Sequence, residues 1–427
     1  MAPSLLSKAN TTFALSLFRK LSDEDKTKNS FYSPFSISSA LAMVMLGARD
    51  NTAAEMIEVL SYTDIVQPKQ PEVQLCQMPI QMPIQMPIQM PMPMQQSQNE
   101  PQPQSDHNLQ KDVHSGFQQL LSELNKEDAP YALSVANRLY GEKSYHIHKK
   151  YLSETLKYYE AELESVDFKT GAESARNKIN TWVEEKTQHK IKDLLPQNVL
   201  NDQTKLVLVN AIYFKGLWDR QFREDDTTEA EFTVKKDNIK LVKMMTQKSK
   251  FLLADIPDAR CKVLEVPYKD KDLSMLIFLP YAMEDETTGL EKLEEMLDCD
   301  RFVAWTHPNR MRETLVQLNL PRFKMAEKYS LNDKLKSMGM KDAFDESKSK
   351  FSGMSSANDL VLSDAIHQAF LEVNEEGTEA AAATAAVMAT RSAKIPIKFV
   401  ADHPFLFFIR HNSTDSVLFV GRCCSPE

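Results

Sequence analysis

A chain of 427 residues with 42% hydrophobic and 26% charged side chains reads as a soluble globular protein, long enough for one large domain or two ordinary ones. Its 51 Lys+Arg against 60 Asp+Glu leave a net charge of −9, which argues against a general nucleic-acid or anionic-membrane binder. Cys76, Cys261, Cys299, Cys423 and Cys424 are odd in number and lack metal or framework spacing, so a reducing compartment is the simpler reading.

Within Ser7–Leu21, Phe13, Leu17, Phe18 and Leu21 recur at helical spacing and predict an amphipathic first helix. The N-terminus ahead of it lacks the basic and apolar regions of a cleavable signal. Ser33 stands where it can cap a second helix beginning at Pro34; that helix is apolar nearly all round and should be buried, yet is too short to span a bilayer. A third helix is read over Asn51–Tyr62.

From Val66 to Leu109 the composition changes, with the tetrad QMPI starting at Gln77, Gln81 and Gln85 and a variant at Gln89. Proline at every fourth position removes backbone donors, and too little of the segment can be buried to offset its ordering entropy. It reads as a disordered insertion, either a neutral expanded repeat or a recruitment loop such as a glutamine donor for transglutaminase.

Order resumes with helices predicted over Asp112–Asn125 and Ala172–Lys192. Apolar or alternating runs at Lys205–Phe214, Cys261–Tyr268, Leu273–Leu279 and Leu315–Leu320 predict strands. Pro404–Ile409 and Val417–Arg422 predict a buried hairpin. Helices first and strands later, without regular alternation, indicate an α+β fold.

Chemistry of the usual kinds is missing from this pattern. With only 10 glycines there is no phosphate-cradling loop, and no zinc, nucleophile-elbow or Cys/His metal signature is present. No cofactor is expected, and the chain does not read as an enzyme. His146 and His148 alternate as on a strand face, His367 and His403 read as satisfied core histidines, and Trp182, Trp218 and Trp305 read as core. The stretch Glu372–Ser392, EVNEEGTEAAAATAAVMATRS, is too small to build a core and too apolar for an ordinary linker; by composition its plain reading is an alanine-rich helix.

The runs NAIYFKGLW from Asn210 and EEGTEAAAA from Glu375 resemble the serpin family. FYSPFSISSALAMVMLGA from Phe31, INTWVEEKT from Ile179, LPRFK from Leu320, ADHPFLFFIRH from Ala401 and VLFVGR from Val417 fit it in the expected order. Within the family the chain resembles the intracellular ovalbumin-like branch (clade B), nearest in type to the leukocyte elastase inhibitors. The resemblance implies a single serpin domain over residues 1–427, with three β-sheets, about nine helices and an exposed reactive loop at 375–398. The insertion at 66–109 would fall between the third and fourth helices. A target protease would cleave the loop, form a covalent acyl complex, and be trapped as the loop inserts into the main sheet. The resemblance also implies a cytoplasmic monomer, partly secreted, that can form loop-sheet polymers.

An inserting strand alternates its side chains between two faces. If Thr378 points inward, so do Ala380, Ala382, Thr384, Ala386 and Met388, all small or apolar, while Glu379 falls on the outer face. The implied loop hinge is Glu375, Glu376, Gly377, Thr378, Glu379, Ala380, Ala381, Ala382, Ala383 and Thr384. Counting along the family pattern from Glu375 places the reactive bond at Arg391–Ser392, which suits the carboxylate-floored pocket of trypsin-like proteases. This departs from elastase-type loops, and cleavage nearer Met388 would instead serve elastase- or chymotrypsin-like enzymes. Papain-like cysteine proteases, or a non-inhibitory binding role, are the further alternatives. Ser33, Asn210, Trp218 and His367 resemble the family's sheet-opening region. Among the residues of the helix that follows the insertion, only Lys111 and the nearby Lys126 are basic, so heparin activation is not expected.

Overall fold

The computed structural model describes residues 4–23, 25–67, 111–126, 128–283, 288–378 and 395–427. The expected insertion, apart from Val66 and Gln67, and the loop from Glu379 to Lys394 with its Arg391–Ser392 bond lie outside the described residues.

Ten α-helices occur among the described residues: α1 Leu5–Ser22, α2 Pro34–Met45, α3 Asp50–Val59, α4 Thr63–Val66, α5 Lys111–Leu124, α6 Lys149–Tyr159, α7 Phe168–Lys186, α8 Glu291–Met296, α9 Cys299–Thr306 and α10 Asn332–Met338. Their starts follow the capping chemistry. Ser33 Oγ accepts the Ser36 N–H at 3.1 Å, Pro34 takes the first helical position, and every residue of α2 is buried. Val66, where the insertion was expected to begin, instead closes the short α4 and is buried. Helix α7 starts four residues before the predicted Ala172, because Asp167 caps it by accepting the Thr170 N–H at 2.9 Å. It ends early because Gln188 and His189 take positive φ.

One sheet places β10 (Phe323–Ser330), β11 (Leu362–Val373), β4 (Leu206–Leu217), β2 (Tyr131–Glu142) and β3 (Leu163–Val166) side by side in that order. Its central pair, β11 and β4, runs parallel over eight residue pairs, from Leu362 opposite Leu206 to Phe370 opposite Tyr213. The two-residue β12 (Gly377–Thr378) pairs antiparallel with the far end of β4, Gly377 opposite Leu217 and Thr378 opposite Gly216.

The remaining nine strands form a second hydrogen-bonded system threaded on β6 (Asn238–Ile256), whose 19 residues serve two layers. Its first part pairs with β5 (Thr228–Lys235) and its middle with β9 (Arg312–Pro321), which in turn pairs with β13 (Ile397–Val400). Its last part joins β7 (Cys261–Pro267), which continues through β8 (Leu273–Pro280), β14 (Phe405–His411) and β15 (Ser416–Cys423) to β1 (Ser30–Tyr32). The expected three-sheet α+β architecture is therefore present, with two of the sheets continuous through one strand.

The main core lies between α1, α2 and the strand layers and takes in Leu206, Leu208, Ile212 and Phe214 of β4. A smaller core occupies the opposite face of the five-stranded sheet, where α7 lays Ala175, Ile179 and Val183 over Val207, Val209, Ala211 and Tyr213. β4 is thus buried on both faces, as its unbroken apolar sequence requires.

Candidate functional site

The boundary between β11 and β4, here called the seam, carries a polar row through an apolar layer. Tyr329, His367, Asn210 and Asn137 stand opposite one another across β10, β11, β4 and β2. His367 Nδ1 lies 2.5 Å from Asn210 Oδ1, so a hydrogen bond spans the seam. Asn210 Nδ2 then donates to Ser36 O at 3.1 Å and meets Ser36 Oγ at 2.7 Å. The Ser33 backbone N–H donates to His367 Nε2 at 3.1 Å, and Ser33 Oγ donates to Leu418 O at 2.6 Å.

Because a backbone N–H can only donate, His367 Nε2 is an acceptor and the proton sits on Nδ1. The ring is neutral, and complete burial holds its pKa down to about 3 against an ordinary 6.5. Ser33, Asn210 and His367, grouped in the sequence by their resemblance to the family's sheet-opening region, meet in one network tying α2 to the seam.

At the upper end of the seam, β11 ends in a turn organised by Asn374. Asn374 Oδ1 accepts the N–H groups of Glu376 at 3.1 Å and Gly377 at 3.2 Å, while its own N–H donates to Gly377 O at 2.8 Å. Gly377 adopts φ +144°, and a Cβ there would lie 2.2 Å from Gly216 O. Only glycine can bring the chain this close to β4.

Trp218, 2% exposed, stacks on Tyr268 with ring centroids 4.5 Å apart. Its indole N–H donates to Asn374 O at 3.0 Å, and its backbone N–H donates to Glu376 O at 2.9 Å. Glu375 is buried; its carboxylate accepts from Thr227 Oγ1 at 2.7 Å and stands 3.6 Å from Arg322 Nε. The first three hinge residues are thus fastened by Asn374, Tyr268, Thr227 and Arg322, none of which the sequence reading singled out. The Asn-x-x-Gly spacing of an Asx turn was the one available signal.

Other sequence candidates fall elsewhere. His146 and His148 are not on a strand: Ile147 makes an isolated bridge to Ser355, and His148 precedes α6 with Nε2 3.0 Å from Ser356 Oγ. His403 is not in apolar surroundings, since its ring contacts Asp402 Oδ1 at 2.7 Å and Pro280 O at 2.9 Å. Of the three tryptophans only Trp218 is buried. Trp182 is half-buried beneath the Arg138 guanidinium, 4.3 Å from its ring centroid, and Trp305 packs at the core's edge.

The His367 network carries a pH dependence. The folded state holds the ring neutral down to about 3 while the unfolded chain takes up a proton near 6.5. Between these values the unfolded state binds more protons, so this contribution to stability is complete above 6.5 and is lost as pH falls through that window. Urea denaturation at pH 7.5 and 5.0 is expected to show this loss in the native protein and a smaller one in His367→Gln; equal losses would remove His367 as the cause.

The site thus consists of a five-stranded sheet with a parallel central pair, a polar network across it and a two-residue strand seated at its end. The family model of serpins (serine protease inhibitors) matches residues 8–426, and the chain belongs to that family of inhibitors, not to a family of enzymes.

The chain is 46% identical over 422 residues to leukocyte elastase inhibitor A of Rattus norvegicus, covering 99% of both chains. It is likewise 46% identical to the leukocyte elastase inhibitor of Homo sapiens, again over 99% of each. Among solved structures, uncleaved ovalbumin matches with a TM-score of 0.81 at 34% identity, covering 99% of this chain and 100% of that one. Among the described residues, no helix is long and apolar enough to cross a membrane.

Proposed function

We propose that this chain inhibits trypsin-like serine proteases as a suicide substrate, cleaved at Arg391–Ser392 and then inserting its loop along the seam. The observation that carries the reading is β12. It already pairs antiparallel with β4 at the mouth of the parallel β11–β4 pair, and it leads into a run without proline and with Glu379 as its only charge before Arg391.

Extending the β12 register along β4 places Glu379 opposite Lys215, and Ala380, Ala382, Thr384, Ala386 and Met388 opposite Phe214, Ile212, Asn210, Leu208 and Leu206. The first pair on the outer face would join opposite charges. The inward residues would enter the main core, and Thr384 would bring a hydroxyl to Asn210 as its bond to His367 parts. On the outer face only Lys215 is partly exposed; Ala381, Ala383 and Ala385 would fall opposite Tyr213, Ala211 and Val209, beneath α7. Small side chains are therefore required on both faces, a stricter condition than an outer face open to water.

Within this reading Ser33, Asn210, His367 and Trp218 govern how readily the seam opens, and Glu375 to Thr384 form the leading part of the inserted strand. The protein acts as a cytoplasmic monomer, part of which leaves the cell, and the same seam can take the loop of a second copy to give polymers. The relatives' name supports a second reading, in which elastase-like enzymes cleave nearer Met388.

Arginine at the bond separates the two. In Arg391→Ala, formation of the denaturation-resistant complex with trypsin is expected to slow at least 1000-fold, while any complex with an elastase is retained. An unchanged trypsin rate would displace the reactive bond from Arg391.

A further inference from the structure

Helices α1, α5 and α6 and the turn at 413–416 enclose an open groove of about 950 Å³. Its walls combine Leu6, Leu121 and Tyr158 with the amide side chains of Gln118 and Gln119. Exposed leucines stand on two of the helices that line it: Leu5 of α1 is 53% exposed, and Leu152 and Leu156 of α6 are 37% and 54% exposed. Its acidic residues, Glu123, Glu160 and Asp415, outnumber Lys157, which disfavours a polyanion.

The chain itself supplies a match. Residues 68–110 connect α4 to Lys111, the first residue of α5, and α5 supplies one wall of the groove. From Gln74 to Asn99 this segment carries no charge, and from Gln77 to Gln96 it is built from glutamine, methionine, proline and isoleucine alone. Methionine fills irregular apolar gaps, proline lowers the entropy lost on docking, and glutamine can pair with Gln118 and Gln119.

The reach is sufficient. Met94, at the end of the repeat, lies 17 residues before Lys111; a flexible chain of that length has an r.m.s. span of about 20–25 Å. The 14 residues of α5 extend about 21 Å. Tethering on this scale gives effective concentrations on the order of millimolar, so weak contacts suffice.

We propose that the groove between α1, α5 and α6 is a docking site for the QMPI repeat of the same chain. The test compares the full chain with a variant lacking residues 77–94, using a synthetic QMPIQMPIQMPI peptide as probe. In hydrogen exchange, segments 116–124 and 152–160 are expected to exchange at least fivefold more slowly in the full chain. The peptide is expected to bind the deletion variant, at least tenfold more weakly after Leu5→Asp/Leu156→Asp, and not to bind the full chain.

Both leucines are exposed, so the double variant should fold, which its melting curve verifies. Equal exchange in the two chains, or peptide binding indifferent to the double substitution, would overturn the proposal. Protection that grows with protein concentration together with dimer formation would assign the groove to a second copy and equally overturn it.

Discussion

Mixed with trypsin, the Thr378→Arg protein is expected to be cut in its loop and to form no complex that survives denaturing electrophoresis, while the unaltered protein forms one. Thr378 stands opposite Gly216, where a Cβ added to Gly216 itself would meet Phe214 and Tyr268, two rings packed edge to face with centroids 5.1 Å apart. Neither ring offers a counter-ion, and an unpaired buried charge costs several kcal/mol even after relaxation. A penalty of about 3 kcal/mol shifts the competition between insertion and completed hydrolysis by roughly a hundredfold. Complex formation at the normal yield would sink the insertion mechanism.

The second large effect concerns the cleaved protein. Its thermal transition is expected to rise by more than 10 °C over that of the intact chain after a non-target protease cuts the loop. Entry of a strand replaces one parallel ladder of eight residue pairs with two antiparallel ones, the more stable pairing per residue. The net gain is about one ladder, and ten hydrogen bonds at about 1 kcal/mol net each give on the order of 10 kcal/mol. Even at the lower sensitivity of a large domain, this moves a melting transition by more than 10 °C. A calorimetric scan before and after cleavage checks it, and an unchanged transition would indicate the non-inhibitory alternative.

Much of the frame was legible in residue order. The cap at Ser33, the buried α2, the first helix and the terminal hairpin lie close to where local patterns put them, because each depends on near neighbours. β2 and β6 escaped notice for the opposite reason. Ser134, Asn137 and Arg138 break the apolar run of β2, and lysines and glutamines do the same in β6; each strand is paired on both sides and needs no hydrophobic signature of its own.

The site divides in the same way. Asn210 and His367 could be selected singly, but the bond between them joins residues 157 apart in sequence, and no local pattern encodes it. Thr227, just before β5, and Arg322, between β9 and β10, reach Glu375 from elsewhere in the chain. The small residues of 380–386 suggested alternation with one wet face; the helix closing that face, α7, is brought there by packing and not by any nearby sequence.

On the proposed function, the hydrogen bond between His367 and Asn210 would also set how the protein ages. Its proton lies between two buried strands, so its exchange with water would count spontaneous openings of the seam in a molecule that has met no protease. Each opening would be a chance for premature insertion or for capture of a neighbour's loop. A substitution that loosens this contact, 2.5 Å from His367 Nδ1 to Asn210 Oδ1, would then shorten the working life of the protein without altering the bait.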